Sequence, residues 1–265
     1  MTPIYELIRG TSPLIISMPH SGLELPAELA ERMTPVAKSL KDTDWHIPQL
    51  YDFVKELGAT VIKANYSRYV VDLNRPASGE SLYPGQATTG TCPVITFEDE
   101  PLYLAGKEFT DTELPQRIAA YWQPYHYALA AEIERVKTEH GFCLLYDAHS
   151  IRSHVPRLFE GELPTLNLGT ARGESCDSEL SEKLESVLAG QSQFQWVANG
   201  RFVGGYITRH YGQPDNGVHA VQMELAQSAY MAEDDSNAYL PEKAAVLQAL
   251  LRQLLQTMLQ WRSGH

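Results

Sequence analysis

The fold class that this sequence predicts is α/β: one three-layer domain over residues 1–265, with a mostly parallel (mixed) sheet and helices on both faces. Three observations predict it. Short runs rich in Val, Ile and Leu recur along the chain, longer stretches between them repeat their apolar residues every three or four positions, and the two kinds alternate.

The short runs are Leu14 to Met18, Thr60 to Ala64, Tyr69 to Asp72, Phe142 to Tyr146, Thr165 to Leu168 and Val218 to Leu225. They are near-continuously apolar, the pattern of strands buried on both faces. The longer stretches are Trp45 to Leu57, Thr112 to Glu139, Ser178 to Leu188 and Leu240 to Trp261, each with the spacing of a helix that packs one face on a sheet. Pro76 to Gly106 breaks the alternation: it is rich in Pro, Gly and Thr and has no sustained period. A segment that long is expected to be an irregular functional loop over the site or a partly disordered insertion. No repeat, low-complexity tract or linker divides the chain.

Hydrophobic residues make up 43% of the 265 and charged residues 20%, enough to bury a sizeable core. The formal net charge is −12 and the basic residues are scattered, which argues against nucleic acid as a partner. The segment Met1 to Gly10 carries charge, and the apolar stretch after it, Pro13 to Met18, is too short for the core of an export signal; no stretch has the length to span a bilayer. Cys92, Cys143 and Cys176 are odd in number and far apart, so neither a disulfide framework nor a thiolate metal site is expected, and a reducing cytoplasm is. Oligomeric state leaves no mark.

In α/β sheets ligands collect outside the carboxyl ends of the strands. There this chain places Pro19-His20-Ser21-Gly22, Asp72-Leu73-Asn74-Arg75, Asp147-Ala148-His149-Ser150 and Glu224. A hydrolytic zinc ion needs three N or O ligands and an open position, and His20 and His149 supply two of them. The third is expected from the turn Asp42-Thr43-Asp44 before the helix at Trp45, with Asp44 preferred to Asp42. Taken singly, each of these residues has a plainer reading, a hydrogen-bonded histidine or a helix cap. Glu24, four residues after His20, imitates a helical ligand pair, but Pro26 follows and it is expected to face solvent.

A serine hydrolase has little support, because Ser21 and Ser150 only neighbour histidines in sequence and no Gly-x-Ser-x-Gly elbow occurs. Cys143 reads as core, and His126 and His140 as surface or packing residues of the long helix. Arg75, beside Asn74, and Arg209 are the candidates for binding an anionic substrate; Arg68 reads equally as the salt-bridge partner of a local acid such as Asp72. Gly204-Gly205 either lets backbone approach a ligand or shapes a turn.

Taken together, Pro19-His20-Ser21-Gly22, Asp42-Thr43-Asp44-Trp45 leading into Leu50-Tyr51, Ser67 to Arg75, Asp147-Ala148-His149-Ser150 and Met223-Glu224-Leu225 resemble the N-formylglutamate amidohydrolase (deformylase) family over nearly the whole chain. The resemblance implies hydrolysis of N-formyl-L-glutamate to formate and L-glutamate in histidine degradation. It also implies a fold similar to the zinc carboxypeptidase and phosphorylase-hydrolase-like folds, and to zinc amidases of cell-wall degradation. Their pattern, carried over by position, gives His20, Asp44 and His149 as metal ligands and Glu224 as the catalytic carboxylate. Asp44 stands further from the first histidine than the acid does in those amidases.

The expected cofactor is one divalent ion, zinc first, with cobalt or iron served by the same donors. Arg75, Arg209 and Asn74 would hold the substrate, and Asp147 or His210 is the reserve proton carrier. The competing readings are a zinc amidase or peptidase acting on another acidic N-acyl compound and a non-catalytic sensor of an acidic metabolite.

Overall fold

The computed structural model describes residues 2–82, 85 and 87–261. Seven strands form one sheet in the order β1-β3-β2-β4-β7-β5-β6: β1 Tyr5–Ile8, β2 Leu14–Met18, β3 Thr60–Ala64, β4 Cys143–Ile151, β5 Leu166–Gly169, β6 Trp196–Ala198 and β7 Val218–Ala226. Four of the six pairings are parallel; β1 on β3 and β5 on β7 run antiparallel, so the sheet is mixed.

The centre of the sheet follows from composition. β2, β4 and β7 are buried along their whole length, which parallel strands covered on both faces require. Side chains alternate between faces, so Leu14, Ile16, Leu144, Tyr146, Val221 and Met223 join one core with the helices Ser178–Ala189 and Pro241–Gln260, while Ile15, Cys143, Leu145 and Ala220 join a second with the helix Gln123–His140. In Pro241–Gln260 the buried residues Ala244, Leu247, Leu251, Leu254, Leu255 and Met258 recur at three and four. Each of the leucines and the methionine contributes about 1.5–3 kcal/mol on burial, so packing holds the helix to the sheet. Gly141, at φ 84°, ends Gln123–His140 in the left-handed conformation that glycine adopts without strain.

Several expected elements differ. Tyr69 to Asp72 is not a strand but a buried turn in which Val70 N donates to Ser67 O. Its apolar residues were divided between cores, Tyr69 and Val70 in one and Val71 and Leu73 in another, and that burial explains the strand-like composition. The helix expected from Trp45 begins at Ile47, with His46 at its cap, and becomes a 3₁₀ helix at Asp52–Leu57. The stretch Thr112 to Glu139 is interrupted by a π turn at Ile118–Trp122. Short β1, β6 and the helix Tyr206–Tyr211 carry too few periodic residues to be read beforehand. Within 76–106 no helix or strand occurs among the described residues; positions 83, 84 and 86 of that segment lie outside them. No helix among the described residues is long and apolar enough to cross a membrane.

Candidate metal and active site

His20 follows β2 by two residues, and Asp44 N donates to His20 O at 3.1 Å, which ties the Asp42–Asp44 turn to the end of that strand. Asp147 and His149 lie within β4, and His149 is registered opposite Glu224 of β7. By the period of two, Asp147, His149, Gln222 and Glu224 project from one face of the sheet. Apolar residues earlier in both strands cover that face; at the carboxyl ends it turns polar and opens into a narrow cavity of about 60 Å³.

His20, Asp44 and His149 form a buried group whose ligating atoms all lie within 4.8 Å of one another. Asp44 Oδ2 is 3.0 Å from His149 Nδ1 and 3.8 Å from His20 Nδ1. The other ring nitrogens face away, His20 Nε2 to Asp72 Oδ1 at 2.7 Å and His149 Nε2 to Asp147 Oδ2 at 2.8 Å. With a proton on each Nε2, donated to its aspartate, both Nδ1 lone pairs would be turned to the Asp44 side, where Arg68 Nη2 also meets His20 Nδ1. Carboxylate, histidine and a metal position thus stand in series twice over, the arrangement that fixes the tautomer of a ligating imidazole. Bonds of 2.0–2.1 Å in tetrahedral zinc separate its ligand atoms by about 3.3 Å, and the observed 3.0 and 3.8 Å bracket that value. Asp72 Oδ2 and Arg68 Nε are buried here without a hydrogen-bond partner. By donor type, tautomer and spacing the residues fit a divalent ion.

Asp44 caps no helix: His46 holds that place, and Asp44 Oδ2 accepts from Ser150 N at 3.2 Å. Asp42 is turned to the 97 loop, where Oδ2 accepts from Phe97 N at 2.9 Å, and it is not in the cluster. Glu24 is exposed. Ser21 Oγ donates to Met18 O, and Ser150 Oγ bonds Tyr230 and Gln227, so neither serine is paired with a histidine base.

The electrostatics divide the carboxylates. Burial raises the pKa of Asp72, but His20, Arg75 and Arg68 outweigh it and hold the group well below the carboxylate range. Asp44 is also lowered, burial being overcome by His149, His20 and Arg68. Burial lowers His149, yet Asp147 and Asp44 raise it well above the ordinary value; His20 is lowered, by burial first and then by Arg68. Within the cavity Glu224 goes up, to about 8, because burial dominates and the nearby cations His149 and Arg68 only partly offset it; burial also raises Asp42, outside the cluster. A carboxyl that exchanges its proton near neutrality, beside a metal-type cluster and facing a cavity, is equipped for acid–base work.

The family model for N-formylglutamate amidohydrolases matches residues 12–231. The chain belongs to that family. It is 49% identical over 261 residues to the N-formylglutamate deformylase of Pseudomonas putida, covering 98% of this chain and 97% of that one. It is 50% identical to the N-formylglutamate deformylase of Pseudomonas aeruginosa, covering 98% of each. Among solved structures, the N-formylglutamate amidohydrolase of Ralstonia eutropha JMP134 superposes with a TM-score of 0.82 at 22% identity, covering 97% of each chain. An Agrobacterium tumefaciens gene product superposes with a TM-score of 0.71 at 17% identity, covering 97% of this chain and 96% of that one. At such identities these structures speak for the fold.

In this member of the amidohydrolase family the arginines are distributed differently from the expectation. Arg68 does not make the simple pair with Asp72 read from sequence: Nη2 contacts His20 Nδ1, it lies 4.0 Å from Asp44 Oδ1, and the guanidinium stands over the Phe97 ring. Arg75 lines the cavity and donates to Thr88 Oγ1, Thr89 O and Asn74 O. Arg209 is not among the described residues of the cavity wall; it donates to Gly204 O at 2.8 Å and to Leu82 O at 3.0 Å.

Asn74 lines the cavity, but its amide is engaged: Nδ2 lies 3.0 Å from His149 Nε2 and 3.1 Å from Asp147 Oδ2, and Oδ1 accepts from Ile207 N. A Cβ at Gly205 would fall 2.3 Å from Asn74 Nδ2, so that glycine is there to admit the asparagine. Asp147 is held by Ser17, Asn74 and His149, and His210 is exposed and stacked on Tyr206. Sequence reasoning passed over two cavity residues. Gln222 accepts from Gly205 N and donates to Glu224 Oε2 at 3.3 Å; period two in β7 could have found it. Arg201, in the loop after the three-residue β6, has no pattern around it.

Proposed function

We propose that this chain hydrolyses N-formyl-L-glutamate to formate and L-glutamate, a step of histidine degradation, with a divalent ion, zinc first, held by His20, Asp44 and His149. The observation that carries the reading is the buried histidine–aspartate–histidine group opening beside Glu224 onto a cavity lined by arginines, in a chain about half identical to two N-formylglutamate deformylases. Such an ion would supply Lewis acidity toward the formyl oxygen and a nucleophilic water near neutral pH; cobalt or iron suits the same donors.

The chain's own residues carry the rest. Glu224, ionised in a fraction of molecules near neutrality, takes a proton from the attacking water as its oxygen bonds to the formyl carbon. It then gives that proton to the amide nitrogen as the C–N bond breaks, and the amine departs as L-glutamate. Gln222 orients Glu224 through the 3.3 Å hydrogen bond. Arg75 takes a substrate carboxylate, which fixes the amide against Glu224 and lowers the entropic part of the barrier. Asn74 and Arg209 serve at one remove, Asn74 by steadying His149 and Arg209 by holding Gly204 and Leu82. The narrowness of the cavity favours a small substrate over a cell-wall peptide. Three buried free cysteines suit a reducing cytoplasm.

The test is formate release from N-formyl-L-glutamate, N-formyl-L-glutamine and N-formyl-L-alanine. A strong preference for the dicarboxylate is expected, and a flat profile would refute the substrate assignment.

A further inference from the structure

Three guanidinium groups converge on three consecutive uncharged residues. Arg201 Nη2 donates to Ala87 O at 3.0 Å, Arg157 Nη2 to Thr88 O at 3.3 Å, and Arg75 to Thr88 Oγ1 and Thr89 O at 3.1 Å each. Arg157 also pairs with exposed Asp99 at 3.4 Å, whereas Arg75 and Arg201 line the cavity of the metal cluster together with Ala87, Thr88 and Thr89. Three guanidinium groups line this narrow cavity in a chain of net charge −12; Arg68 is engaged by His20 and Asp44, which leaves Arg75 and Arg201 to match a ligand with two anionic ends.

We infer that Arg201 is the specificity-determining residue for the side-chain carboxylate of the substrate, an inference that rests on the deformylase reading above. The placement divides the work. Arg75 follows Asn74, whose amide touches His149, so it stands beside the metal cluster and the reacting amide. The α-carboxylate shares a carbon with the amide nitrogen and belongs there. Arg201 follows the edge strand β6, two strand spacings or about 10 Å from the strand that carries Glu224. The γ-carboxylate, three bonds beyond the α-carbon, reaches toward that side. Arg201 Nε on Leu158 O at 2.7 Å roots the side chain on the cavity rim. A carboxylate adds its own charge and can take the guanidinium in a bidentate pair, which a neutral carbonyl cannot. An arriving carboxylate therefore takes over Nη2 from Ala87 O.

Steady-state kinetics of the metal-loaded wild type, Arg201→Gln and Arg201→Lys on N-formyl-L-glutamate and N-formyl-L-glutamine test this. For Arg201→Gln, kcat/KM on the glutamate compound should fall about a hundredfold or more, mainly through KM, with a change under about threefold on the glutamine compound. Lysine keeps the charge and should restore part of the loss on the glutamate compound alone. L-Glutamate binding measured by calorimetry should weaken in the same order. Equal losses on both substrates, or equal losses in both variants with a falling melting temperature, would show that Arg201 merely props the 87–89 segment, and would overturn the inference. A wild type that releases no formate from N-formyl-L-glutamate would instead overturn the deformylase reading itself, whatever the variants do.

Discussion

Four histidines of this chain are equally buried, and they fall into two regions with opposite chemistry. His20, His149, His126 and His219 are all 2–3% exposed. His126, under the helix side of the sheet, meets Leu73 O and Tyr211 and stacks on Trp122; His219 accepts from Asp177 N and packs on Trp261. Among the described residues no carboxylate bonds either ring, and burial lowers both pKa values, that of His126 to about 3. His20 and His149 each have an aspartate behind the ring and share Asp44 in front. Burial alone yields a neutral packing histidine; burial between carboxylates yields a histidine in a group that could hold a metal ion.

The largest effect should come from breaking the second region. Purified wild type should hold roughly one divalent ion per chain, and His149→Ala well below half of that, with formate release down about a thousandfold or more, since the ion is worth several kcal/mol at the transition state. His126→Gln and Asp42→Asn should keep the ion. Elemental analysis decides, and equal metal in wild type and His149→Ala would remove the site.

Next in size is Glu224→Gln. A positioned general acid or base is worth about a hundredfold to ten-thousandfold, so kcat should drop by at least the lower figure while KM and metal content stay. An unchanged kcat in a folded, metal-loaded variant would dismiss Glu224 as proton carrier. Asp147 would then be a poor substitute, because Ser17, Asn74 and His149 already surround its carboxylate.

Asp72→Asn should do less, weakening metal about tenfold to a hundredfold in competition with a chelator, as outer partners of metal ligands typically do. The matched change Asp147→Asn should act alike on His149. No loss in either would mean that the aspartates do not set the tautomers, and the distinction between the two histidine regions would rest on Asp44 alone.

How much of this was legible beforehand depended on whether a residue sits in a period. β2, β3, β4 and β7 stand out as apolar runs, and the polar residues at their ends locate His20, Asp147, His149 and Glu224. Asp44 was reachable only as the acid of a turn, since its place depends on a main-chain bond to His20 O that no local pattern encodes. Tyr69 to Asp72 misleads because a buried turn must be as apolar as a strand. Arg201 and Arg209 exchange their expected standing because loops aim them, and loop direction is set by tertiary contacts such as Leu158 O and Leu82 O.

The smallest effect concerns the packing region and sharpens the comparison from the other side. His126 has a folded pKa of about 3 against an ordinary 6.5, a depressed value caused by burial. The folded state therefore favours the neutral ring, and the stability this gives is fully present above pH 6.5 and lost as pH falls toward 3. Between pH 7 and 5 the unfolded chain gains the proton and the folded one does not, which costs about 2 kcal/mol. Urea unfolding of wild type and His126→Gln at both pH values measures it. The glutamine variant, less stable at pH 7 because it gives up the stacking on Trp122, should lose less on acidification by about that amount. A parallel loss in the two proteins would mean that the His126 ring accepts its proton in place, and that its aromatic surroundings do not enforce neutrality.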